Sequence, residues 1–103
     1  MSPSTEYATI WIVRKGNGQV RASPSPCPVQ GSFRIHNISG AGPVSVTFRE
    51  HVVEPPEQTI PPGEFRTFTV SGGLTEPRYV EYGAAAGGFS VEGGSSPGII
   101  IIP

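Results

Sequence analysis

Apolar and polar residues alternate with a period of two in several short stretches of this chain, and glycine and proline punctuate the gaps between them. That period sends successive side chains to opposite sides of an extended backbone, so each stretch predicts a half-buried strand. From Ser32 to Ile38, the set Phe33, Ile35 and Asn37 alternates with Arg34, His36 and Ile38. Val44, Val46 and Phe48 then alternate with Ser45, Thr47 and Arg49. Between Glu64 and Val70 the pattern buries Phe68 and Val70 and exposes Glu64 and Arg66. Tyr7 to Val13 is β-branched and aromatic and runs on to Gly16-Asn17-Gly18, an opening strand followed by a turn. Tyr79 to Tyr82 predicts a further short strand. Ile99, Ile100, Ile101 and Ile102 form a last strand that Pro103 stops, with apolar side chains on both faces.

The intervening segments read as connections. Pro24, Pro26 and Pro28 lack amide donors, so Ala22 to Pro28 cannot pair as a central strand and is expected to run extended over the surface. Ser39-Gly40-Ala41-Gly42 and Glu54 to Gln58 read as loops, and Ile60-Pro61-Pro62-Gly63 as a type II turn. Gly83 to Gly98 is almost wholly small residues apart from Phe89 and Val91 and is expected to be a long loop. No helix and no repeat is visible. Short strands separated by turns predict an all-β chain, one domain over residues 1–103, built as a two-sheet sandwich.

Composition narrows the function classes. Charged residues are 15% of the chain, against roughly 25% in ordinary globular proteins. Seven basic and eight acidic residues give a net charge of -1, and no basic run exists to track a phosphate backbone, so a nucleic-acid partner is not expected. Sparse charge offers little self-repulsion and permits assembly of like copies. The longest apolar run, Ile99 to Ile102, is far short of the roughly 20 residues of a membrane-spanning helix. Met1-Ser2-Pro3-Ser4-Thr5-Glu6 has neither a basic region nor an apolar run, so the default expectation is a cytoplasmic chain, with a signal already removed as the alternative. The single cysteine, Cys27, excludes an internal disulfide.

Several segments, in order, resemble the cupredoxin family: an Asn-containing strand, a Pro-x-x-Val-x-Phe strand at Pro43 to Phe48, a Pro-Gly-Glu turn, a Tyr-x-x-Tyr strand at Tyr79 to Tyr82, and a glycine-led apolar strand. The resemblance spans about residues 7 to 102 and implies a Greek-key sandwich, with an immunoglobulin-like sandwich as the alternative. It also implies positions for a blue-copper centre. Val44 stands where the family has its first histidine ligand, Gly83 at the cysteine, Ala86 at the second histidine, and Ser96 near the methionine. None can bind copper, so the resemblance is to a member that has lost its ligands, with those four positions converging at one end of the sandwich.

The chemistry points the same way without alignment. A blue-copper site needs two imidazoles and a thiolate, usually with a thioether. The chain has one Cys, two His and one Met, and that Met is the initiator. Cys27 in the Pro-rich connection reads as a surface or partly buried thiol, His36 as a strand-face histidine and His51 as a loop residue. No Gly-x-Ser-x-Gly elbow is present, and Glu50 beside His51 is expected to be solvated, so an enzyme is not expected and no cofactor is implied. Gly16 to Gly18 and Gly93 to Gly98 are glycine-rich without the strand-to-helix context that cradles phosphate. Asn37-Ile38-Ser39 matches a glycosylation acceptor, a triplet common by chance.

Three functions follow as expectations. The leading one is a structural or protein-interaction domain whose partner is itself or another protein, with Ile99 to Ile102 contributing the contact, since only one face of each sheet in a sandwich meets the core. The second is a small carbohydrate- or ligand-binding module using Tyr7, Trp11, Tyr79 and Tyr82, if they share an exposed face. The third is a metal or redox protein using Cys27 with His36 or His51.

Overall fold

A computed structural model of the chain describes residues 8–14, 20–40, 42–71, 75–86, 89–90 and 97–103. Eleven strands make two mixed sheets that pack as a sandwich, and no helix occurs among the described residues. None is therefore long and apolar enough to cross a membrane. In the first sheet the order is β2 (Val20–Ser23), β1 (Ala8–Arg14), β4 (Ser32–Asn37), β8 (Phe65–Val70) and β6 (Val53–Glu54). In the second it is β3 (Cys27–Val29), β11 (Gly98–Ile101), β9 (Arg78–Ala86), β5 (Val44–Phe48) and β7 (Glu57–Ile60), with β10 (Phe89–Ser90) also pairing β9. Pairing is antiparallel except at β1 with β4 and β3 with β11.

Alternation supplies the core from both sheets. Ile10, Ile12, Phe33, Ile35, Phe68 and Val70 come from the first, and Val44, Val46, Phe48, Val80, Tyr82, Ile99 and Ile101 from the second. Phe33 stacks on Phe68 at 5.3 Å between centroids, and Phe48 lies within 5.9 Å of Phe33, Phe68 and Tyr82, tying the two layers together. The alternation expected in Ser32 to Asn37 and Val44 to Phe48 holds residue by residue.

Three connections differ from expectation. The Pro-rich segment is not a plain surface connection: it supplies β2 and β3, edge strands of opposite sheets, and crosses between the layers at Ser25. Proline is tolerated there because an edge strand pairs on one side only. Glu54 to Gln58 holds parts of β6 and β7 instead of forming a loop. Gly83 to Ala86 continues β9, and Phe89–Ser90 pairs back on it, so the expected long loop is shorter. Pairing with β5 holds these small residues extended despite their weak strand preference. The turn before β8 has the proline and glycine corners expected of it, in a window that begins one residue later, at Pro61. The Glu64 N–H donates to Pro61 O at 3.1 Å, which puts Pro62 and Gly63 at the corners, and Gly63 has the positive φ of 77° that a type II turn requires. Gly16-Asn17-Gly18 lies outside the described residues.

Candidate functional site

At one end of the sandwich, Asn37 closes β4 and is fully buried. Its Nδ2 donates to Gly42 O at 2.8 Å and Ile60 O at 3.0 Å, while Oδ1 accepts from the Ser39 N–H and hydroxyl. Its own N–H donates to Glu64 O and its carbonyl accepts from the Gly63 N–H. One amide thus clamps the β4–β5 connection, the end of β7 and the turn before β8. A side chain so engaged is not available as a glycosylation acceptor.

Beside this clamp lie Val44 and Ala86, two of the four positions that the cupredoxin resemblance implies as former ligand sites. Val44 is fully buried and is the register partner of both Ile60 and Ala86, and Ala86 in turn faces Phe89 in β10. Gly83 is not with them. It pairs with Thr47, three positions further along, roughly 10 Å at the rise of a strand. It also falls in the outward row of β9 with Glu81 and Ala85, whereas Val44 points into the core. Ser96 lies outside the described residues. The structure therefore brings Val44 and Ala86 together and sets Gly83 apart.

The outer sheet faces carry the exposed apolar side chains. On the first sheet, register aligns Ser23, Trp11, His36 and Phe65 across four strands. The Trp11 and His36 ring centroids are 4.5 Å apart and tilted by 39°; those of His36 and Phe65 are 4.9 Å apart and tilted by 26°. Rings side by side in one plane cannot approach so closely, so these stand like leaves with their edges outward. The Arg34 guanidinium sits 4.6 Å from the Phe65 centroid. Burial, and secondarily the Arg34 charge, hold the His36 imidazole below the ordinary histidine range, so it is neutral at pH 7. Trp11 is 40% exposed, Phe65 41% and Ile38, next along β4, 53%.

On the second sheet, the four isoleucines divide. Ile99 and Ile101 fill the core and are not available to a partner; Ile100 is half-buried on the outer side and Ile102 is 38% exposed. Pro28, Ile100 and Tyr79 are aligned by register, and Tyr79 is 51% exposed. A Cβ built on Gly98 would stand 2.6, 2.6 and 2.7 Å from the Cε1, Oη and Cζ atoms of Tyr79. Near-equal distances of that length to three adjacent, non-collinear atoms are met only above the ring plane. The hydroxyl end of the ring therefore leans over the glycine, in space that a side chain there would fill.

No family model, curated protein or solved structure matches this chain. The site must be read from its own geometry.

That geometry separates the residues of the two alternative readings. Cys27 is buried in the core, not at the surface, because its strand sends Cys27 and Val29 inward and Pro28 outward. Burial pushes its thiol up, which keeps it protonated. His36 lies on the outer side of the first sheet and His51 in an exposed loop, so neither meets Cys27. Among the described residues, no three His, Cys, Asp or Glu side chains gather to hold a metal ion. Glu50 pairs with Arg78, not with His51. The tyrosine platform fails for a similar reason: Trp11 stands on the first sheet, Tyr79 on the second and Tyr82 between them, while Tyr7 lies outside the described residues. Tyr82 is buried, its hydroxyl has no hydrogen-bond partner among the described residues, and burial, with Cys27 and Tyr79 adding to it, raises its phenol well above the usual value. Sequence reading missed the Trp11–His36–Phe65 ladder because its residues come from three strands whose register is a tertiary fact. The outward placement of His36 beside the Phe33 and Ile35 row was the one available signal.

Proposed function

We propose that this chain is a cupredoxin-like sandwich without a copper centre, which works as a non-enzymatic protein-interaction domain and associates with copies of itself. For the scaffold, the support is that the two segments carrying the resemblance, Pro43 to Phe48 and Tyr79 to Ala86, are neighbouring antiparallel strands with Val44 opposite Ala86. Ligands of one metal must come from adjacent backbone, and here that adjacency survives with side chains that cannot ligate. Gly83 in an outward row is the departure from the pattern.

One observation carries the functional reading. The isoleucine strand spends Ile99 and Ile101 on the core and leaves Ile100 and Ile102 beside the exposed Tyr79 on an outer sheet face. Covering the third or so of each isoleucine that is still exposed contributes only about 1 to 2 kcal/mol before association costs, so a stable contact needs the neighbouring ring as well. The test compares the wild type with an Ile100→Lys, Ile102→Lys variant by analytical ultracentrifugation. Association in the wild type and its loss in a folded variant is the expected result. Equal association of both proteins removes this face from the contact, and a copper content near one per chain in purified material removes the metal-free reading.

A further inference from the structure

The five large apolar side chains exposed among the described residues divide between the two outer faces: Trp11, Ile38 and Phe65 on one, Tyr79 and Ile102 on the other. We infer that copies associate head to tail, the ring-edge ladder of Trp11, His36 and Phe65 on one copy seating against the Tyr79 ring with Ile100 and Ile102 on the next. This rests on the self-association reading above and specifies its geometry.

The two faces are complementary in a way that neither is with itself. The first presents ring edges, which carry the positive rim of the aromatic quadrupole. The second presents the half-exposed Tyr79 ring bordered by Ile100 and Ile102. Ring edges seat against this mixed aromatic and aliphatic surface when unlike faces meet, whereas two copies of the first face would set edge against edge. Charge adds to this. Arg21 and Arg34 stand on the outer side of the first sheet with Glu54 at its corner, whereas Glu57 and Glu81 stand on the outer side of the second, with Arg49 beyond the end of β5. Among the described residues, unlike faces thus bring one net positive charge to one net negative charge, whereas like faces set like charges together. Size is sufficient: the molecule measures 40 × 31 × 21 Å, so each broad face can supply the roughly 800 Å² per partner of a standard interface. A contact between different faces leaves one of each free at the ends, so it propagates into a chain or ring.

Complementation separates this arrangement from a symmetric dimer. One variant carries Trp11→Thr and Phe65→Thr, the other Ile100→Lys and Ile102→Lys; each is sedimented alone and then in equimolar mixture. Head-to-tail contact predicts monomers of each variant alone and a one-to-one dimer, no larger, in the mixture, while the wild type grows past the dimer. The arrangement is overturned if either variant alone still forms dimers, or if the mixture stays monomeric. A monomeric wild type sinks the self-association reading itself, a separate outcome. Circular dichroism with a cooperative melt establishes that each variant is folded. If either pair fails that check, the single changes Phe65→Glu and Tyr79→Glu at exposed positions repeat the design with the same expected results.

Discussion

The Asn37 amide offers two donors and one carbonyl oxygen, and all are used, at Gly42, Ile60 and Ser39. Truncation would leave two backbone carbonyls and the Ser39 donors facing an apolar void. An unpaired buried polar group costs about 1–3 kcal/mol, so Asn37→Ala is expected to lose roughly 2–4 kcal/mol of stability in urea unfolding. A loss under about 0.5 kcal/mol would show that water replaces the amide without penalty. Gly98 tests the opposite kind of residue. Its missing Cβ is what lets the hydroxyl end of the Tyr79 ring lean over it, and the ring is the free end of a flexible side chain. Gly98→Ala is therefore expected to keep the fold, at a cost of about 1 kcal/mol or less, while lifting the ring and weakening self-association several-fold. Wild-type association in a folded Gly98→Ala protein would mean the Tyr79 ring, in the position that Gly98 allows it, takes no part in the contact.

Among the elements, the ladder across β1, β4 and β8 has a pH consequence. The His36 imidazole is held below its ordinary pKa in the folded protein, so the unfolded chain takes up a proton first. The stability contributed by neutral His36 is present above the ordinary value of about 6.5 and is lost as pH falls through it toward the folded value. Denaturant midpoints are expected to drop more between pH 7 and pH 5 in the wild type than in His36→Phe, and equal drops would contradict the assignment. The strands of this ladder were legible because Ser32 to Asn37 alternates cleanly, with Phe33, Ile35 and Asn37 inward. β2, β3 and β7 were less so. Each is an edge strand of three or four residues with proline in it or beside it, features shared with loops. The Gly83 to Ala86 run has no side-chain signal, and only its register with β5 makes it a strand. Cys27 was misplaced for the same reason, its neighbouring prolines concealing a two-residue period three residues long. Val44 and Ala86 were legible as a pair through the resemblance, whereas the outward row of Gly83 depended on where β9 stops.

For the molecule as a whole, the strand order joins distant segments, and nothing in local pattern dictates that β1 should lie between β2 and β4 or that β3 should edge β11. What the pattern did convey was surplus: a four-isoleucine strand in a sandwich has twice the apolar side chains that one core face can take. The structure places that surplus, Ile100 and Ile102, outside, and the opposite sheet carries its own exposed rings. With a net charge of -1 on 103 residues, electrostatic repulsion does little to keep such faces apart. The most direct measurement is sedimentation velocity of the unmodified chain from low to high micromolar concentration, at low and at high salt. The weight-average sedimentation coefficient is predicted to rise with concentration and to persist at high salt, because an apolar contact is not screened. A single 10.8 kDa species across the whole range would contradict the account.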